Sequence, residues 1–217
     1  MKKAVIFDLD GTLLNTLDDL AASVNFALES NGYSPRTIDE VRQFVGNGIR
    51  LLMCRALPGG EDNADFSKVF ESFKSHYIIH CNDATAPYPG IMNMLHELQR
   101  CNIRMAIVSN KADLAVKELN DIYFKDVINV AIGENEGAGI KKKPSPDMPL
   151  EALRQLGVNP SEAVYVGDSD VDIETAASAG MLCVSCSWGF RSVDFLKKHG
   201  AVNIISNPKE LIDYLNI

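Results

Sequence analysis

No run of about eighteen apolar residues occurs in this chain, so a membrane-spanning helix is not expected. Met1-Lys2-Lys3 lead into only four apolar residues, Ala4-Val5-Ile6-Phe7, before Asp8 intervenes; that is too short for the core of a secretory signal. Cysteine is scarce: five residues, at 54, 81, 101, 183 and 186. An odd, scattered set without a secretory signal reads as reduced thiols in a cytoplasmic protein rather than as a disulfide framework. Positive charge is in deficit, with 21 Lys and Arg against 29 Asp and Glu and a net charge of −8. A surface of that sign repels polyphosphate backbones and argues against a broad nucleic-acid interface. Small anions remain accessible, because local cations and metals override the mean field. Internal repeats and low-complexity stretches are also missing. What is present is ordinary globular composition, 46% hydrophobic and 23% charged over 217 residues. That excludes wholesale disorder and suits one domain, or one domain carrying an insert.

Short apolar runs alternate with amphipathic stretches. Strands are expected at Ala4–Phe7, Ile103–Val108, Val127–Ile132, Ala163–Val166, Leu182–Ser185 and Val202–Ile205. Met94, Leu95 and Leu98 mark one helix face between them; Leu150, Leu153 and Leu156 mark another, stopped by Gly157. This alternation predicts an α/β fold with a parallel sheet covered by helices on both faces. From about Asn15 to Ala86 it breaks down. Leu17–Ser30, a helix opened by Thr37 with Glu40 as capping-box partner, Ile49–Leu57 and Phe66–Cys81 all read as helix, and Pro87-Tyr88-Pro89-Gly90 punctuates the return. Connections in α/β units add only about 2–6 residues outside their helix, so an inserted helical subdomain is expected. The core would then be 1–14 with 87–217, and the insert 15–86.

Ligands of open α/β sheets gather at the carboxyl ends of the strands. Four polar clusters fall there. The first strand ends in Asp8-Leu9-Asp10-Gly11-Thr12, whose period-two geometry points two carboxylates one way; groups that close repel unless a cation or proton separates them. Ile103–Val108 ends in Ser109-Asn110-Lys111, a hydroxyl with amide groups at an expected helix start, able to cap the helix or to cradle an anion. Lys143, fixed before Pro144 and ahead of a helix, can deliver an ammonium as a point charge, whereas Lys141 and Lys142 read as a solvated basic loop. Ala163–Val166 runs into Gly167-Asp168-Ser169-Asp170-Val171-Asp172, which reads either as a hard-cation site or as an acid-rich helix start.

Taken together and in this order, these motifs resemble the haloacid dehalogenase superfamily of phosphotransferases, over essentially the whole chain. Asp8–Thr12 matches its Asp-x-Asp-Gly-Thr pattern without departure; Ser109, Lys143-Pro144 and Gly167–Asp172 match its other motifs. Within it, Gly46-Asn47-Gly48, Trp188-Gly189-Phe190-Arg191 and the overall length are most similar to the phosphoglycolate phosphatases. The resemblance implies a Rossmann-like core, a helical cap from the insert, and a small phosphorylated metabolite as substrate, with neither nucleic acid nor membrane as partner and a monomer or homodimer as the assembly. It implies Asp8 as nucleophile and Asp10 as the acid and base of an aspartyl-phosphate mechanism. Thr12, Ser109, Asn110 and Lys143 would bind phosphate. Mg²⁺ would be held by Asp8, Asp10 and Asp168, with Asp172 orienting that set. Asn47 and Arg50 in the cap would read the leaving group, Arg50 through a carboxylate such as that of 2-phosphoglycolate, or would simply start a surface helix. A β-phosphoglucomutase-like phosphosugar mutase shares these motifs. So do phosphatases of nucleotides, sugar phosphates or pyrophosphate. A non-catalytic phosphometabolite-binding protein would not require a carboxylate nucleophile with a proton carrier.

Three further signals have plainer readings. Cys183-Val-Ser-Cys186 spells C-x-x-C but lies within or at the end of a strand, unlike a redox motif that opens a helix. His76 and His80 have zinc-compatible i,i+4 spacing, yet with no partner set in the sequence they are expected on a helix surface. Phe66, Phe70, Phe73 and Tyr77 at helical spacing read as the core of the insert.

Overall fold

A computed structural model describes residues 2–135, 137 and 139–217. The chain divides into two compact units, Met1–Leu14 with Pro87–Ile217, and Asn15–Ala86. In the first unit, β1 (Ala4–Phe7), β4 (Arg104–Ala112), β5 (Val130–Glu134), β6 (Ala163–Gly167), β7 (Leu182–Cys186) and β8 (Asn203–Ile205) form a six-stranded sheet in the order β5-β4-β1-β6-β7-β8. Every pairing is parallel. β1 is central because all four of its residues are apolar and fully buried, so neither face can meet water. Its alternation feeds two cores. Val5 and Phe7 join Leu95, Leu98, Met105, Ile107 and Val166 on one face; Ala4 and Ile6 join Ala106, Val108, Tyr165, Met148 and Leu153 on the other.

The first face is covered from α5 (Ile91–Arg100), which buries Ile91, Met94, Leu95 and Leu98, a stripe at i, i+3, i+4 and i+7. The second takes α7 (Asp147–Leu156), ended by Gly157 in the left-handed conformation at φ 65°. The buried stripe of α7 is Met148, Pro149, Ala152 and Leu153, whereas Leu150, expected on that face, is exposed. Leu150 lies only two residues from Met148, about 200° around the helix, so both cannot face the sheet.

Two strands run differently from expectation. β4 continues past Val108 because, after a register shift, Ala112 pairs with Glu134 of β5. The following helix, α6 (Asp113–Tyr123), therefore starts beyond Ser109, and its N-cap is Ala112 without a side-chain bond. Val127 and Ile128 are buried, but they belong to the turn that closes α6, where Ile128 N–H donates to Phe124 O at 2.8 Å. β5 accordingly begins only at Val130.

The inserted unit contains α1 (Leu17–Glu29), α2 (Ile38–Phe44), α3 (Ile49–Ala56) and α4 (Phe66–His80). Leu20, Val24, Leu28, Val41, Leu52, Met53, Val69 and Phe73 are buried in it. Phe66 and Tyr77 are buried with them, while Phe70 is only half-buried. The capping box of α2 forms: Glu40 N–H donates to Thr37 Oγ1 at 3.3 Å and Thr37 N–H to Glu40 Oε2 at 2.8 Å. Buried Asp19 ties the ends of the unit together by accepting from Ala84 N–H and Thr85 N–H, each at 2.9 Å, and from Thr85 Oγ1 at 2.7 Å. The two crossing segments, β2 (Leu14–Asn15) and β3 (Ala86–Pro87), pair as a short two-stranded ladder that the sequence did not signal. No helix among the described residues is long and apolar enough to cross a membrane.

Candidate active site

The carboxyl ends of β1, β4 and β6 converge with the loop before α7. Asp8 follows β1 directly and is buried; its N–H donates to Val166 O at 2.9 Å, which fixes it against the end of β6. The chain then folds back, with Leu13 N–H and Leu14 N–H both donating to Leu9 O at 3.0 Å. Lys143 Nζ lies 2.8 Å from Asp8 Oδ1 and 2.8 Å from Asp172 Oδ1, and its side chain is buried. Burial alone would lower the Lys143 ammonium, but the carboxylates of Asp172 and Asp8 override it and hold the group well above the usual lysine range. Asn110 sets this lysine in place. Its Oδ1 accepts Lys143 N–H at 2.7 Å and its Nδ2 donates to Lys143 O at 3.0 Å. Asn110, expected at the phosphate, thus spends its side-chain amide on the backbone of the lysine loop.

Asp10 takes a different neighbourhood. Ser109 Oγ donates to its Oδ2 at 3.4 Å, and Lys111 Nζ stands 2.9 Å from its Oδ1. Lys111, the i+2 neighbour of Ser109 on β4, shares its face of the strand. Ser109 Oγ also accepts Lys111 N–H at 3.2 Å. Thr12 is fully buried: its Oγ1 is 3.8 Å from Cys186 Sγ and its carbonyl accepts Trp188 Nε1–H at 3.0 Å. Its hydroxyl therefore faces the end of β7.

Asp168, one residue beyond β6, accepts Phe190 N–H at Oδ2 at 2.6 Å. The Trp188-Gly189-Phe190 segment fits around it closely. A Cβ at Gly189 would fall 2.3 Å from Asp168 Cβ and 2.4 Å from Gly11 O, so only glycine allows this approach. Asp172 lies in the first turn of α8 (Asp170–Ser178). Its Oδ2 accepts Ser169 N–H at 3.1 Å and Ser169 Oγ at 2.6 Å, and its Oδ1 accepts Tyr165 OH at 3.2 Å besides Lys143. The helix-start reading of this acidic stretch holds, since Asp172 closes the capping box of α8; the same residue also lies in the acidic cluster.

Asp8, Asp168 and Asp172 each offer a carboxylate oxygen, and these oxygens lie within 4.8 Å of one another. One ammonium does not balance three buried carboxylates. Burial, then Asp172 and Asp168, push Asp8 well above the ordinary carboxylate range against the pull of Lys143. Burial and then Asp172 push Asp168 up to about 7, opposed by the Phe190 N–H bond, Lys143 and Arg191. Asp8 Oδ2 and Asp168 Oδ1 meet no hydrogen-bond donor among the described residues, whereas both oxygens of Asp172 are engaged. An all-oxygen donor set with excess negative charge and two uncommitted oxygens fits a hard divalent cation.

The raised Asp168 carboxyl has a thermodynamic consequence. Between 3.8 and about 7 the folded protein keeps a proton that the unfolded chain gives up. Stability of the metal-free protein is therefore full below pH 3.8 as far as this group is concerned, and falls as pH rises to about 7. Denaturant titrations across that window check it; Asp168→Asn is expected to flatten the slope, and an unchanged slope would count against the assignment.

Asn47 and Arg50 lie in the inserted unit. Asn47 adopts φ 62° between Gly46 and Gly48, just ahead of α3. Arg50, the second residue of α3, pairs through Nε with Glu61 Oε1 at 2.7 Å, and its guanidinium lies over the Phe66 ring at 5.0 Å from the centroid. On β7, burial pushes the Cys183 thiol up to about 12 and Cys186 higher than its ordinary range, so neither offers a reactive thiolate.

The comparisons with known proteins agree with this geometry. A family model described as haloacid dehalogenase-like hydrolase matches residues 5–186. The chain is 33% identical over 221 residues to a phosphoglycolate phosphatase of Pseudomonas putida, covering 99% of this chain and 78% of that protein. It is 30% identical over 223 residues to an N-acetylmuramic acid 6-phosphate phosphatase of Pseudomonas aeruginosa, covering 99% and 95%. A crystal structure from Lactobacillus delbrueckii subsp. bulgaricus, provisionally named a phosphoglycolate phosphatase, superposes with a TM-score of 0.93 at 36% identity over 99% of both chains. With the match running from β1 through β7 and taking in every strand end that carries a site residue, this chain belongs to the haloacid dehalogenase-like hydrolase family.

Proposed function

We propose that this protein is a Mg²⁺-dependent phosphatase that hydrolyses a small phosphate monoester, with 2-phosphoglycolate as the preferred substrate, through an aspartyl phosphate on Asp8. The observation that carries the reading is the uncommitted Asp8 Oδ2 beside buried Lys143, Asp168 and Asp172. Mg²⁺, held by Asp8, Asp168 and the backbone carbonyl of Asp10, would draw charge from the phosphoryl oxygens and lower the repulsion between phosphate and carboxylate. One carboxylate oxygen of Asp8 forms a bond to phosphorus as the bond to the leaving oxygen breaks. Asp10 gives that oxygen its proton. In the second half, a water oxygen bonds to phosphorus as the Asp8–phosphorus bond breaks, and Asp10 takes the water's proton. Orthophosphate is released, Asp8 returns as a carboxylate and Asp10 as the protonated acid it began as.

Lys143 and Ser109 hold the remaining phosphoryl oxygens, and Asn110 acts through Lys143 by fixing its backbone. Lys111 directs Asp10. Asp172 orients Lys143, and Thr12 fastens the turn after β1. In this reading the inserted unit would be the cap that excludes bulk water during turnover.

A second reading, a sugar-phosphate phosphatase, is favoured by one observation: the N-acetylmuramic acid 6-phosphate phosphatase is matched over 95% of its length, more than the 78% of the phosphoglycolate phosphatase. Phosphate release with Mg²⁺ from 2-phosphoglycolate, hexose phosphates including N-acetylmuramic acid 6-phosphate, and a neutral aryl phosphate decides the matter. 2-Phosphoglycolate is expected to give the highest kcat/KM. Arg50→Ala is expected to lower that value about tenfold more on 2-phosphoglycolate than on the aryl phosphate, the worth of one charged hydrogen bond. Equal losses would remove Arg50 as the carboxylate reader, and no phosphate from any compound would overturn the phosphatase reading.

A further inference from the structure

Resting on the phosphatase reading above, we propose that Lys111 is a specificity-determining residue. Its ammonium receives a carboxylate carried on the carbon next to the leaving oxygen. The site thereby selects phosphate monoesters of small 2-hydroxy acids over phosphates of uncharged alcohols.

Lys111 stands on the part of β4 that runs on past the register shift and pairs Ala112 with Glu134. Gly133 of β5 makes this extension possible. A Cβ there would fall 2.6 Å from Lys111 O and 2.5 Å from Asp113 Cα, both backbone atoms that cannot give way. The strand so held turns the Lys111 side chain inward: it is only 7% exposed, with Nζ 2.9 Å from Asp10 Oδ1. Lys143 Nζ lies 2.8 Å from Asp8 Oδ1 and from Asp172 Oδ1. The two ammoniums thus divide the work. Lys143 stands with the acid that attacks phosphorus, Lys111 with the acid that serves the leaving oxygen.

That placement fixes what the ammonium can meet. To protonate the leaving oxygen, Asp10 must come within about 3 Å of it. Lys111 Nζ is one hydrogen bond further, hence at most about 6 Å from that oxygen. In the phosphate ester of a 2-hydroxy acid, the carboxylate carbon is two bonds from the same oxygen, so a carboxylate turned toward Lys111 closes the gap. An ammonium has three rotatable donors and can serve Asp10 and a second carboxylate together. Screening by water is weak around so covered a side chain, which makes the attraction larger than that of a surface pair. An uncharged alcohol gains none of it. A sugar phosphate whose anionic group lies many bonds from the leaving oxygen gains none either. Arg50 belongs to the inserted unit and pairs with Glu61, so the two cations are separable by their own variants.

The test compares 2-phosphoglycolate with 2-hydroxyethyl phosphate, which carries a hydroxyl in place of the carboxylate, using the full chain with Mg²⁺. Lys111→Met and Lys111→Gln are expected to lower kcat on both compounds, because Asp10 loses a partner. On 2-phosphoglycolate alone, kcat/KM should fall a further ~10- to 100-fold through KM, the fold-equivalent of one hydrogen bond to a charged group. Lys111→Arg should restore most of the preference. Equal losses on the two compounds would overturn the proposal and leave Lys111 as a partner of Asp10 alone, with the phosphatase reading intact. Should the wild type release phosphate from neither compound, that reading falls instead, and calorimetry decides on Lys111. Asp8→Asn is titrated with each compound, with and without Lys111→Met. Tighter binding of 2-phosphoglycolate that vanishes with the lysine supports the carboxylate contact; equal binding in the presence and absence of the lysine overturns it.

Discussion

Asp8→Asn is expected to stay folded and to lose phosphate release by at least about 10⁴-fold, the scale seen when a covalent nucleophile is removed. The amide is nearly isosteric with the carboxylate and still accepts Leu9 N–H, the bond that Asp8 Oδ1 makes at 2.7 Å. It cannot present a second anionic oxygen to phosphorus. Stability should move the other way. Burial and the neighbouring acids make an ionised Asp8 costly, and Lys143 keeps Asp172 as a partner at 2.8 Å, so the metal-free variant should melt no lower than wild type near neutral pH. Acid-quenched single-turnover assays, which trap a phosphorylated enzyme, with thermal melts check both halves. Turnover near the wild-type rate would remove Asp8 as nucleophile.

Lys143→Met should damage stability and activity together. The methionine fills much of the volume but leaves Asp8, Asp168 and Asp172 buried without the one ammonium that bridges two of them. Breaking a buried pair by removing one partner costs about 3–5 kcal/mol, because the remaining charge is uncompensated. The metal-free variant should therefore unfold at clearly lower denaturant near neutral pH, and excess Mg²⁺ should restore part of the loss by mass action. Phosphate release should drop a further 10²- to 10³-fold or so, the worth of one preorganised donor at a developing charge. Equal midpoints for variant and wild type in metal-free urea titrations would show that Lys143 does not balance the cluster.

Most strands and helices were legible because their apolar periodicity is strong. Ala4–Phe7 reads as a strand buried on both sides, and it is the centre of the sheet. The Thr37–Glu40 box reads as a helix start and forms one. The errors sit where tertiary pairing outweighs local pattern. Val127 and Ile128 look like strand but close a helix turn, and β4 runs on to Ala112 because Glu134 offers it a partner. Leu150 looked like core by spacing from Leu153, yet the sheet meets Met148 and Ala152 instead. Among the site residues, Lys111 could have been found from its i+2 relation to Ser109. Tyr165 and Gly189 could not, since nothing local ties either to an acid that the fold brings beside it.

Composition, period and the order of motifs determined by themselves that this chain would build a parallel sheet with acids, a hydroxyl and a lysine at strand ends. Those features depend on residues close together in sequence, where side-chain direction follows from backbone geometry. Which oxygen each acid has left to offer was decided only in three dimensions. Asn110 is consumed by the Lys143 backbone, Asp172 by Ser169 and Tyr165, and Asp10 is turned toward Lys111, while Asp8 and Asp168 each keep an oxygen without a donor. Hydrogen bonds reach only about 3 Å, so commitments between residues separated by tens of positions exist only once the fold has brought them within that distance.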